Sequence, residues 1–131
     1  MKSRVDYKGS LIFDGNIRER KIEIDGNGET APRPLEYLLT TLAACTSMSI
    51  VSILDRMHLE IKEMNTEVEG IQNEEPPKIF KSISIVYSIH GKVNQKQLED
   101  AISLTMSKYS PTAVMLIKSG IDIRYSYEIK N

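Results

Sequence analysis

Cys45 is the chain's single cysteine, and it stands inside a stretch that carries no charge between Glu36 and Asp55. A lone thiol in such a place either fills a small gap in a core or carries sulfur chemistry. For the second role its thiolate has to be stabilised by a cation, a helix N-terminus or hydrogen bonds. Midway along a helix the macrodipole contributes little, so that stabilising partner must come from elsewhere. Around Cys45 at helical spacing lie Thr41, Met48, Ser49 and Ser52, which make one side of the helix less oily than the other.

Glu36 is the second candidate, nine residues earlier. In a continuous helix nine residues rotate a side chain by roughly half a circle and displace it ~13 Å along the axis. The two cannot touch within one chain: either Glu36 is a first-turn helix acid, or it serves the Cys45 of a second copy. His58 and His90 fall in different elements, without the spaced Cys, His, Asp or Glu partners of a metal site. No nucleophile elbow, phosphate-cradling loop or dinucleotide fingerprint is present, so no cofactor and no metal are expected.

The elements that must position these residues can be read in order. Ile17–Ile24 alternates, Asp14-Gly15-Asn16 and Asp25-Gly26-Asn27-Gly28 have turn composition, and two or three N-terminal strands fit best. Pro34 suits the first position of a long helix reaching Met57-His58, with Glu36 in its first turn. That helix is apolar all round the wheel, which predicts burial on every side. A strand from Leu59 to Ile71, a turn at Pro76-Pro77 and a strand through Ile79, Ile83, Ile85, Tyr87 and Ile89 follow. Asn94 and Gln97 form a capping box for a helix with the stripe Leu98, Ala101, Ile102, Thr105. Ser110-Pro111 opens another helix that stops at Gly120, and a strand from Ile121 to Ile129 closes the chain. The order βββ-α-ββ-α-α-β, with antiparallel-looking strands, is an α+β class in one domain spanning residues 1–131.

Composition bounds the rest. At 131 residues the chain can bury one core, and 17 basic against 18 acidic residues leave a net charge of −1. No basic run is long enough to track a phosphate backbone, so nucleic acid is not an expected partner. The N-terminus has no apolar h-region, and one cysteine builds no internal disulfide framework, which together point to a reducing cytoplasm. The uncharged helix approaches the length of a membrane span, but its six Ser and Thr residues from Thr40 to Ser52 favour a globular core helix and no membrane partner.

The segment Pro34-Leu35-Glu36-Tyr37-Leu38-Leu39-Thr40-Thr41-Leu42-Ala43-Ala44-Cys45 resembles the signature of the OsmC/Ohr family, named for osmotically inducible protein C and organic hydroperoxide resistance protein. The order of elements agrees along nearly the whole chain. The resemblance implies an OsmC-like fold, an intertwined homodimer with the two long helices at its centre, and active sites at the subunit interface. It also implies a hydroperoxide-reducing cysteine at Cys45 and an Arg, held by Glu36, that activates the thiolate; Arg18, Arg20 and Arg33 are the candidates. The family's resolving cysteine falls at Ser110, and serine cannot form the disulfide that resolves a sulfenic acid. Three functions follow from this: a one-cysteine peroxidase for organic hydroperoxides or hydrogen peroxide that uses an external thiol in oxidative-stress defence, a non-catalytic dimer binding a small apolar ligand at its interface, or a Cys45 redox sensor.

Overall fold

A computed structural model describes residues 1–130. The chain falls into two compact units, Met1–Leu38 and the residues from Leu39 onward.

The first unit is an antiparallel sheet of β1 (Arg4–Gly9), β2 (Ile12–Ile17) and β3 (Arg20–Asp25), in that order. Asp14-Gly15-Asn16 is therefore mid-strand, not a turn. Asp14 is buried there and receives Lys8 at 3.7 Å and Lys21 at 3.6 Å. At Gly15 an added Cβ would lie 3.0 Å from Ile22 Cγ1, so glycine serves packing at this position. The true turn is Arg18-Glu19, with φ of 48° and 67°, the doubly left-handed geometry that matches strand twist and is usually signalled by Asn-Gly. Asp25 closes the loop to the first helix: its carboxylate accepts from the backbone of Thr30, Asn27 and Glu29. The Thr30 and Asn27 N–H groups hold that carboxyl below the usual range against the opposing effect of burial.

Helix α1 (Pro34–Arg56) begins in the first unit and continues into the second. Pro34 takes its first position, and Glu36 Oε1 accepts from the Arg33 N–H at 3.0 Å, the returning half of a capping box. One stripe of the helix, Leu42, Ala43, Thr46, Ile50 and Leu54, is buried. The expectation of burial on every side is corrected: Ala44, Met48 and Val51 are exposed on another stripe, Met48 by 69%. Apolar composition all round does not distinguish a helix enclosed by its own chain from one with an uncovered side.

In the second unit β4 (Ile61–Gln72), β5 (Phe80–Gly91) and β6 (Asp122–Lys130) form a sheet in that order. β4 and β5 are antiparallel, but β5 and β6 are parallel, a correction to the antiparallel reading. The crossover through α2 (Gln95–Leu104) and α3 (Pro111–Lys118) returns the chain to run in the same direction. Ile83, Ile85, Tyr87 and Ile89 point to the core as their alternation predicts. Ile79 instead lies outside β5 and is exposed, while Phe80 is buried. A register shift opposite Ile71 and Gln72 reverses the phase there.

Tyr87 Oη donates to Thr46 Oγ1 at 2.7 Å and the hydroxyls of Ser47 and Thr66 meet at 2.6 Å, tying α1 to β5 and β4. Burial pushes the Tyr87 phenol up to about 12, so it remains a donor throughout the physiological range. Asn94 and Gln97 form the expected capping box of α2. Between α2 and α3 the chain inserts one π-helical turn, Thr105–Tyr109, closed by the Ser110 N–H on the Thr105 carbonyl at 2.9 Å.

Candidate functional site

Pro111 prevents the preceding residue from continuing a helix, and Ser110 is extended, with φ −95° and ψ 105°. This ends the π turn and starts α3 with Ser110 as its N-cap. The Ser110 hydroxyl accepts from the Ala113 N–H at 3.2 Å and donates to Cys45 Sγ at 3.1 Å. Ser49, one turn beyond Cys45, donates its hydroxyl to the Tyr109 carbonyl at 3.3 Å and so ties α1 to the π turn. The result brings together two residues 65 apart in sequence.

Cys45 is partly exposed and not in a disulfide. Burial pushes its thiol up, but hydrogen bonds from the Ser110 hydroxyl and from the Thr112 side chain and backbone outweigh it and leave the group below its ordinary value. The positive end of α3 points the same way, because the first N–H groups of a helix favour a nearby anion. A cysteine midway along one helix thus receives the help of a second helix's N-terminus. Thr112 was not among the candidates read from the sequence; its place in the first turn after Ser110-Pro111 was the available signal.

The other candidates stand elsewhere. Glu36 occupies the first turn of α1, and since that helix is continuous from Pro34 to Arg56 the half-turn separation from Cys45 holds. Arg18 is in the β2–β3 turn and Arg20 opens β3; Arg33 donates through Nη2 to the Asn27 carbonyl at 3.0 Å. His58 follows α1 in a left-handed conformation, and His90 lies near the end of β5. Among the described residues, no three His, Cys, Asp or Glu side chains cluster as metal ligands would.

The OsmC-like protein family model matches residues 26–126, which contain both Cys45 and Ser110. The chain belongs to the OsmC-like family. This OsmC-like protein is 30% identical to Protein YhfA of Escherichia coli K12 over 98% of both chains. A hypothetical protein from Aquifex aeolicus superposes with a TM-score of 0.90 at 27% identity, covering 98% of this chain and 95% of that one. A more distant structure, an organic hydroperoxide resistance protein OsmC from Legionella pneumophila, has a TM-score of 0.72 at 15% identity, over 98% and 97% of the two chains; that likeness is one of fold. The OsmC-like fold of the sequence reading is present, with its βββ-α-ββ beginning and its long central helix.

Replacing the hydroxyl that touches Cys45 tests this geometry directly. In oxidised Ser110→Cys, Cys45 and the introduced thiol are expected to form an intramolecular disulfide, because the Oγ–Sγ separation of 3.1 Å needs only local adjustment. A non-reducing peptide map reads the crosslink, and its absence would contradict the placement of Ser110.

Proposed function

We propose that this OsmC-like protein is a one-cysteine thiol peroxidase acting on organic hydroperoxides or hydrogen peroxide. The observation that carries the reading is the pairing of a partly exposed Cys45 with the Ser110 hydroxyl at the N-terminus of α3. Those groups favour the thiolate, the form that attacks peroxide. Its sulfur takes the distal oxygen of the hydroperoxide; the S–O bond forms, the O–O bond breaks, and the leaving alkoxide takes up the proton lost by the thiol. The products are a sulfenic acid on Cys45 and an alcohol, or water when the substrate is hydrogen peroxide. An external thiol then condenses with the sulfenic acid, releasing water and leaving a mixed disulfide. A second equivalent of that thiol restores Cys45 and departs as the oxidised disulfide.

The working unit in this proposal is a homodimer. The exposed stripe Ala44, Met48 and Val51 borders a groove of about 740 Å³ whose wall on β4 includes Met64, and a second copy seated there removes this apolar surface from water. The dimer also gives Glu36 a route to the partner's Cys45 that its own helix denies it, and in this proposal Glu36 holds there an Arg, Arg18 or Arg20.

The test mixes reduced protein with cumene hydroperoxide, identifies the Cys45 product by mass spectrometry, and then adds glutathione or dithiothreitol and follows peroxide loss. The proposal expects sulfenic acid, then mixed disulfide, then turnover. A Cys45 that stays reduced overturns it and leaves the apolar groove as the basis for a ligand-binding function. Sulfenic acid that no thiol resolves overturns turnover and leaves the sensor.

A further inference from the structure

Thr46 and Thr105 are both fully buried, and only one of the two hydroxyls is paired. In the regular turns of α1 the Thr46 hydroxyl donates back to the Leu42 carbonyl at 3.0 Å, the usual outlet for a threonine inside a helix. Thr105 opens the π turn: its N–H is shared between the Ala101 and Ile102 carbonyls, and its hydroxyl has no hydrogen-bond partner among the described residues. A buried hydroxyl in this state favours any arrangement that pairs it. The strain therefore sits at the first residue of the π turn.

The same turn sets the position of Ser110. Its extra residue rotates all that follows by about 100° and advances it by about 1.5 Å relative to a continuous α-helix. The Ser110 N–H closes the turn on the Thr105 carbonyl at 2.9 Å, and in that register the Ser110 hydroxyl lies 3.1 Å from Cys45 Sγ. An α-helical register would carry it away. Ser107, Lys108 and Tyr109 are exposed, so the turn can change its winding without repacking the core.

We propose that the π turn is a latch, held shut by the charged sulfur of Cys45 and released when that sulfur is capped. In the thiolate state the Ser110 hydroxyl makes a charge-assisted bond that offsets the unpaired Thr105 hydroxyl. In a mixed disulfide the sulfur is uncharged, a weak acceptor, and bears a substituent beside Ser110. The hold weakens while the strain at Thr105 remains. The turn then rewinds toward the α-helical register, the Thr105 hydroxyl returns to the Ala101 carbonyl, and Ser110 withdraws. The role of the latch rests on the peroxidase reading: withdrawal admits the second equivalent of external thiol. Its thiolate attacks the outer sulfur of the mixed disulfide, the S–S bond breaks, and Cys45 leaves as the thiolate on which Ser110 closes again.

Methyl methanethiosulfonate caps Cys45 as its methyl disulfide, releasing methanesulfinate, and needs no peroxide. Amide hydrogen exchange of the peptide spanning residues 105–110, read by mass spectrometry, is compared in reduced and capped protein at one pH. Capping is expected to speed exchange there on the order of tenfold, with α2 and β5 unchanged. Cys45→Ala, which removes the acceptor without adding bulk, should speed it as well. Exchange that capping leaves unchanged, an increase shared by the whole chain, or a Cys45→Ala turn as protected as that of the reduced parent would each overturn the latch.

Thr105→Val keeps the shape of the side chain and removes the unpaired hydroxyl, with circular dichroism establishing that the variant folds. Its turn is expected to stay protected after capping, and dithiothreitol should release the methylthio group from Cys45 more slowly than in the parent, on the order of fivefold. A variant turn that opens like the parent's overturns the role of Thr105, and equal release rates overturn the role in thiol access. Because capping is independent of hydroperoxide chemistry, a Cys45 inert to cumene hydroperoxide removes the peroxidase reading and leaves the exchange measurement to decide the latch.

Discussion

Cys45→Ser is expected to abolish the proposed hydroperoxide reduction altogether, and Ser110→Ala is expected to leave a reactive but less acidic thiol. The first result follows from chemistry, since a serine hydroxyl is a weak nucleophile toward peroxide oxygen and this chain has no other cysteine to take over. The second is the more informative because it separates the sulfur from its surroundings. The Cys45 thiol sits below its ordinary value because the Ser110 and Thr112 hydrogen bonds outweigh burial. The thiolate fraction rises with pH through that group's own midpoint, so the oxidation rate climbs and then levels at a lower pH than for an unassisted cysteine. Removing the Ser110 hydroxyl deletes a bond to the charged form, and the midpoint must move up. At neutral pH the variant is slower; well above both midpoints its rate approaches that of the parent. A pH series of iodoacetamide alkylation, followed by mass spectrometry, measures both midpoints. The same change removes the N-cap of α3 and is expected to cost about 1 kcal/mol of stability, read separately by urea unfolding.

Leu42→Ala destabilises the protein by about 2–5 kcal/mol, whereas Met48→Ala on the same helix changes it by less than about 0.5 kcal/mol. Leu42 is fully buried, and its truncation loses apolar transfer energy and leaves a cavity beneath α1. Met48 is 69% exposed and has little burial to lose within its own chain. Against a total of about 5–15 kcal/mol for a domain, the first change is a large fraction of stability. Urea unfolding at a concentration low enough to keep the chain monomeric gives the comparison. Sedimentation at higher concentration gives the complementary result. With a second copy over the Met48 stripe, Met48→Ala weakens self-association while leaving the monomer's unfolding midpoint in place.

Features that depend on adjacent residues were legible before any fold was known. Asn94 with Gln97, and Ser110 with Pro111, are helix starts because the groups that satisfy the first N–H donors are neighbours in sequence. The alternation from Ile83 to Ile89 identified a core face for the same reason. What depended on distant chain was not legible. The Asp14-Gly15-Asn16 segment looks like a turn until Lys8, Lys21 and Ile22 are placed around it. The direction of β6 is set by the crossover through α2 and α3, and composition carries no sign of the π turn that precedes Ser110.

The site shows the same division. Cys45 stood out as the single thiol, but its spacing to Ser110 carries no geometric information, and the pairing was anticipated through the family resemblance alone.

Activation of Cys45 is tested most directly by one rate, the loss of its thiol after mixing reduced protein with cumene hydroperoxide at pH 7. Its reference is free cysteine under the same conditions. A thiol held by Ser110 and the N-terminus of α3 is predicted to oxidise faster than the reference by more than an order of magnitude and to yield a trappable sulfenic acid. A rate no greater than that of free cysteine would contradict the claim that this helix pair activates Cys45.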